Sequence, residues 1–146
     1  MPVHTYLFEP GRWRAAGQFI DGAGARTEAE GETEIRHEEE RWVVTTVMRG
    51  ASGGSKTRFD VEPHDGTSPV LEWASASPTM GPVTGTFAVV DDAIVSMYRS
   101  RDGGYRGSET YRHLPDGGYD CTGVLLRGRK LLSAWRVRLA RVADPD

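Results

Sequence analysis

The sequence holds one cysteine, Cys121, so no disulfide can close within the chain and no cysteine-rich metal site can form. Its four histidines, His4, His37, His64 and His113, show no HxH or HExxH spacing. A zinc site would therefore have to gather ligands from distant segments, and no metal or cofactor is expected. No apolar run approaches the roughly 20 residues of a membrane span. The opening Met1-Pro2-Val3-His4-Thr5-Tyr6 lacks the basic and apolar regions of a signal peptide, so the expected location is the cytoplasm, away from any membrane. A basic excess is missing as well. The net charge is −3 and the pI about 5.8, which leaves no electrostatic footprint for nucleic acid. Lysine occurs only at Lys56 and Lys130 beside many arginines, a bias that points to a GC-rich bacterial source. No Ser-His-Asp or Cys-His signature supports covalent catalysis, and no long helical pattern is present.

What fills the chain instead is regular punctuation. Clusters of Gly, Pro, Asp, Ser and charged residues fall at 21–24, 38–40, 50–55, 63–68, 77–81, 91–92, 102–106, 115–118 and 127–130. Ten pieces lie between them, nearly all of strand length. Strands joined by turns too short for a crossover must run antiparallel to their neighbours. The simplest arrangement is an all-β, single up-and-down antiparallel β-barrel of about ten strands, closed so that no sheet edge stays open. At 146 residues the chain has the size of one domain. The expected organisation is a single barrel over 1–146, with a lead-in or tail at 1–10 and a tail at 143–146. The Gly-rich stretch from Gly50 to Ser55 lacks the GK[ST] ending of a phosphate loop and no helix follows it, so it reads as a hairpin loop.

Period-2 alternation assigns faces. Over 30–38, Gly31, Thr33, Ile35 and His37 point inward against a row of Glu and Arg. Over 41–49 the inward face is Trp42, Val44, Thr46 and Met48; over 56–62 it is Thr57, Phe59 and Val61. In the last strand Trp135, Val137 and Leu139 alternate with Arg136 and Arg138. The pattern leaves the inward faces of 93–101, 107–113 and 118–126 open. Strand 107–113 is polar on both faces, with Glu109, Tyr111 and His113 against Ser108, Thr110 and Arg112. Either it lies at a solvated barrel end, or its polar groups line a ligand cavity.

The first strand opens with Gly11-Arg12-Trp13, and arginines recur late in the chain. This Gly-x-Trp with a late arginine resembles the signature of the calycin superfamily, which includes lipocalins and fatty-acid-binding proteins. The resemblance implies that Trp13 closes one barrel end and that Arg136 or Arg138 stacks across it, a guanidinium lying well over an indole face. The fatty-acid-binding proteins insert a helix-turn-helix lid after their first strand. Here only Gly22-Ala23-Gly24 stands at that place, so no helical lid is expected. Nitrobindin-like haem barrels carry their proximal histidine near the C-terminus, where this chain has none after His113, which argues against haem.

Three functional readings follow. In the first, the inward aromatics Trp42, Phe59, Trp73, Phe87, Tyr98 and Trp135, with Glu109 and Tyr111, wall a cavity for a small hydrophobic or aromatic molecule. In the second, the same barrel is a cyclase-, isomerase- or decarboxylase-type enzyme. Its candidate catalytic residues are Glu109, Tyr111 and a histidine, His37 or His113. His4, in the lead-in, and His64, in a turn, are expected at the surface. In the third, a filled barrel serves as an interaction module, with a homodimer as its simplest assembly. Cys121 reads as a small buried hydrophobe.

Overall fold

A computed structural model describes residues 4–50, 53–64 and 66–143. Residues 1–3, 51–52, 65 and 144–146 lie outside the described residues, and with them parts of the expected lead-in, of the 50–55 loop, of the 63–68 turn and of the C-terminal tail. The chain forms ten strands in order: β1 Gly11–Asp21, β2 Arg26–His37, β3 Trp42–Gly50, β4 Gly53–Val61 and β5 Val70–Ser77, then β6 Gly81–Val90, β7 Ala93–Ser100, β8 Tyr105–His113, β9 Tyr119–Arg127 and β10 Lys130–Val142. Every strand pairs antiparallel with its sequence neighbours, and β10 returns to β1 to close the barrel. Among the described residues there is no helix, hence none long and apolar enough to cross a membrane.

Because strand direction alternates, each end of the barrel is built from one set of connections. The ends of β2, β4, β6, β8 and β10 meet at one end with the segment preceding β1, and the hairpins after β1, β3, β5, β7 and β9 form the other. The first end is closed. Trp13 is fully buried there, with Tyr6 and Tyr119 meeting it edge-on at 5.5 and 5.6 Å between ring centroids. Residues 5–9 fold into a turn, Glu9 N–H donating to Thr5 O at 3.1 Å. Within that turn Leu7 is fully buried with φ 74°. A bulky residue in the left-handed region is strained, and persists only where its surroundings impose it. Here His37 Nε2–H donates to Leu7 O at 2.8 Å.

The lead-in is thus part of the core, and one expectation is corrected. His4 is buried, not exposed. Its Nε2–H donates to Asp91 O at 2.8 Å, which leaves Nδ1 to accept from the Tyr119 hydroxyl at 2.8 Å. These bonds span sequence separations of 115 and 87 residues, so no local pattern announces them.

The second correction concerns the arginine over Trp13. Arg136 and Arg138 alternate out of phase with Trp135, Val137 and Leu139, so they point outward and pair with Asp120 and Asp116. Arg141 continues the inward phase. Its guanidinium carbon lies 5.8 Å from the Trp13 ring centroid, and Nη2 donates to Pro10 O at 3.0 Å. An arginine does lie over Trp13, but it is Arg141.

The strands left open by the sequence resolve cleanly. In β7 the inward residues are Ile94, Ser96, Tyr98 and Ser100, with Met97 60% exposed on the opposite face. Glu109 and Tyr111 of β8 face inward, and in β9 so do Tyr119, Cys121, Gly123 and Leu125.

Candidate functional site

The barrel interior encloses a cavity of about 390 Å³. Phe19, Phe59, Trp73, Tyr98 and Trp135 supply its aromatic walls, and Met48 and Met80 add flexible apolar surface. Two rungs of the sheet explain why the barrel is not filled. Trp73, Gly85, Tyr98, Gly107 and Leu125 follow one another across β5 to β9 in register. Glu109, Gly123, Trp135 and Phe19 do the same across β8, β9, β10 and β1. In the first rung aromatics alternate with glycines, and in the second Trp135 stands beside Gly123; in both, the ring lies over the neighbour that has no side chain. A Cβ at Gly85 would meet the Trp73 ring at 2.5 Å, one at Gly107 the Tyr98 ring at 2.5 Å, and one at Gly123 the Trp135 ring at 2.3 Å. The rings therefore lie along the wall instead of projecting across the lumen. Aromatic cover of a strand glycine is a known stabiliser of curved sheets.

Glu109 is the one polar group for which this arrangement makes special provision. Because Gly123 stands between them without a side chain, Trp135 reaches across β9 and its Nε1–H donates to Glu109 Oε2 at 2.7 Å. The Tyr111 hydroxyl donates to Oε1. Tyr6 stacks on Tyr111 with ring centroids 4.8 Å apart, and the buried Cys121 thiol lies beside the same carboxyl. Glu109 keeps some accessible surface because it faces the cavity, but its carboxyl sits deep inside the protein. Desolvation raises its pKa above the ordinary carboxylate value, against the lowering effect of the Tyr111, Trp135 and Cys121 hydrogen bonds. Burial, with the carboxylate close by, raises the pKa values of Tyr111, Tyr6, Tyr98 and Cys121 too. A thiol held protonated in this way is a poor nucleophile.

Of the sequence-derived candidates, the structure brings Phe59, Trp73, Tyr98, Glu109, Tyr111 and Trp135 together around the cavity. Phe87 faces inward but packs into the core beside the cavity without lining it, 5.9 Å from Trp73 and 6.4 Å from Tyr111 between ring centroids. Trp42 lies at the closed end, stacked on His37 at 3.9 Å. His113 also lies there, edge-on to Tyr119 at 5.1 Å. No histidine lines the cavity, so the acid–phenol pair is assembled without the base proposed for it. Gly11 sits under the Arg141 side chain, with its φ at 158° in the extended range. Among the described residues no group of three or more His, Cys, Asp or Glu is placed to hold a metal ion. Sequence reasoning missed Tyr6 and the three wall glycines; the glycines were readable as inward positions facing aromatics, once register was known.

The cavity opens between β4 and β5. These two strands keep register only at Asp60↔Ala74 and Val61↔Trp73, extended by Glu62 N–H to Glu72 O at 2.9 Å and by the Ser75 hydroxyl to Arg58 O at 2.6 Å. Beyond that point they splay. Ser55, Lys56 and Thr57 on one side and Ala76, Ser77 and Pro78 on the other rim the opening. A broader concavity of about 770 Å³ lies on the outside of the barrel, from the end of β4 across to β9. It is made by outward residues such as Thr84, Thr86, Met97 and Arg99 and does not reach Glu109.

No protein-family model matches the sequence, and no curated protein matches it. The fold is shared with solved structures. The S-type phycobiliprotein lyase CPES from Guillardia theta superposes with a TM-score of 0.67 at 11% identity, over 94% of this chain and 90% of that one. Rv2717c from M. tuberculosis gives 0.63 at 16% identity, over 92% of each chain. The chain has a calycin-type ten-stranded barrel fold.

Proposed function

We propose that this barrel binds a small, largely apolar or aromatic molecule in its interior, taking it in through the gap between β4 and β5. The observation that carries the reading is the cavity of about 390 Å³, kept open by aromatic rings lying flat over Gly85, Gly107 and Gly123. Its size falls toward the small end of the usual range of about 300–1,000 Å³ for ligand sites, which suits a compact ring system better than a long acyl chain. Apolar walls with few convergent polar groups are the ordinary composition of such a site. A filled interaction module has no use for a lumen held open in this way.

Tryptophan fluorescence tests the reading, because Trp73 and Trp135 both line the cavity. Titration with the neutral dye N-phenyl-1-naphthylamine is expected to quench that emission at one site per chain. Absence of quenching, together with absence of any small molecule in native mass spectra of freshly purified protein, would overturn it.

A second reading, chemistry on the bound molecule, draws on the Glu109–Tyr111 hydrogen bond facing the lumen. One of the solved barrels with this fold is named a lyase, which makes the scaffold compatible with catalysis. Recovery of an altered compound after incubation, lost in Glu109→Gln, is its test.

A further inference from the structure

We propose that the interior of this barrel selects an aromatic or apolar amine, bound as its cation with the ammonium on Glu109; this rests on the interior-binding reading above. The carboxyl receives a donor on each oxygen, Tyr111 on Oε1 and Trp135 on Oε2, the arrangement that suits a carboxylate. Yet no countercharge accompanies it. The groups that face it are Tyr111 on its own strand, Tyr6 from the lead-in, Tyr98 from β7, Cys121 from β9 and Trp135 from β10, and none of them is cationic. Lys56 is the one basic residue along the cavity, and it sits exposed at the rim. A carboxylate held by two donors in an apolar enclosure is costly without a positive partner.

An ammonium group supplies that partner and takes the carboxylate lone pairs that Tyr111, Trp135 and Cys121 leave free. The walls suit the same ligand. Trp73, Tyr98 and Trp135, lying flat over the wall glycines, present ring faces along the lumen, and ring faces attract cations as well as apolar bodies. Burial raises the Glu109 pKa in the unliganded protein, so a bound cation would also restore the ionised form that the two donors favour.

The test is a set of probes that share one ring and differ in charge: 1-naphthylmethylamine, 1-naphthylmethanol and 1-naphthoate, titrated calorimetrically. The amine is expected to bind about tenfold or more tightly than the alcohol, as a charge-assisted hydrogen bond replaces a neutral one, and the carboxylate most weakly. Glu109→Gln is expected to remove that preference, so that the amine binds no more tightly than the alcohol, with near-UV circular dichroism checking the fold. In the unmodified protein the amine's advantage is expected to grow as the pH rises above the ordinary carboxylate range, as Glu109 ionises while the amine keeps its proton. Equal binding of amine and alcohol, or a preference that survives in Glu109→Gln or shows no pH dependence, would overturn the inference and leave interior binding standing if the dye still quenches. If neither the three probes nor the dye bind, both fall together.

Discussion

Trp135 of β10 hydrogen-bonds Glu109 of β8 at 2.7 Å across the intervening strand, and it does so over Gly123. The contact makes that glycine a determinant of the site. A methyl group there would stand 2.3 Å from the indole and push it off the wall. Gly123→Ala is expected to cost about 1–3 kcal/mol, the usual range for overpacking, and to change the tryptophan emission maximum. Urea unfolding and fluorescence read both.

Glu109 should make stability depend on pH in an unusual direction. Its folded pKa is raised, so between the unfolded value and the folded one the native state holds the extra proton. Stability from this group is full below the unfolded pKa, near 4.5, and is lost as the pH climbs through the folded pKa. The unliganded protein is expected to lose stability relative to Glu109→Gln as pH rises from mildly acidic toward neutral. Paired urea titrations at several pH values measure the difference.

Arg141 and Arg138 should behave differently although both are exposed arginines of β10. Arg141→Ala removes the guanidinium over Trp13 and the bond to Pro10 O, an expected loss of about 1 kcal/mol or more. Arg138→Ala removes only a surface ion pair with Asp116, and its effect is expected to stay within about 0.5 kcal/mol. Thermal unfolding of the two variants side by side is the check.

His4 ties the lead-in to two distant parts of the barrel through Tyr119 and Asp91. His4→Ala leaves both partners without their bond, and a loss of about 1–3 kcal/mol is expected. Trp13 emission should shift toward that of a hydrated indole if the turn at 5–9 loosens.

Cys121 is buried and its pKa is raised by burial, with Glu109 adding to the shift. The native protein is expected to resist alkylation by iodoacetamide at about pH 8, where an ordinary thiol reacts readily. Labelling should become complete in urea, as intact mass reports.

Much of the scaffold was legible in the sequence because turns and alternation are local signals. The ten strands, their antiparallel order and the inward faces of β2, β3, β4 and β10 follow from spacing and period alone. The same parity, carried two residues past Leu139, leads to Arg141, whereas Arg136 and Arg138 stand on the other face. Glu109 and Tyr111 were visible as polar residues breaking a pattern. What they touch was not, since Trp135 meets Glu109 only through the register of three strands and the lack of a side chain at Gly123. The lead-in was illegible for a related reason. His4, Tyr6 and Leu7 follow no strand period, and their partners lie at the far side of the chain.

A closed hoop of hydrogen-bonded strands is as strong as its poorest joint, and here that joint is the pairing of β4 with β5. Unzipping should begin there, while the other nine joints hold. Amide exchange in residues 53–57 should then outpace that of β1, β2 and β10, and a guest's residence time should follow how often this joint parts. A cross-link between positions 57 and 76 would separate the two quantities, slowing arrival and departure alike while leaving the equilibrium between them where it was.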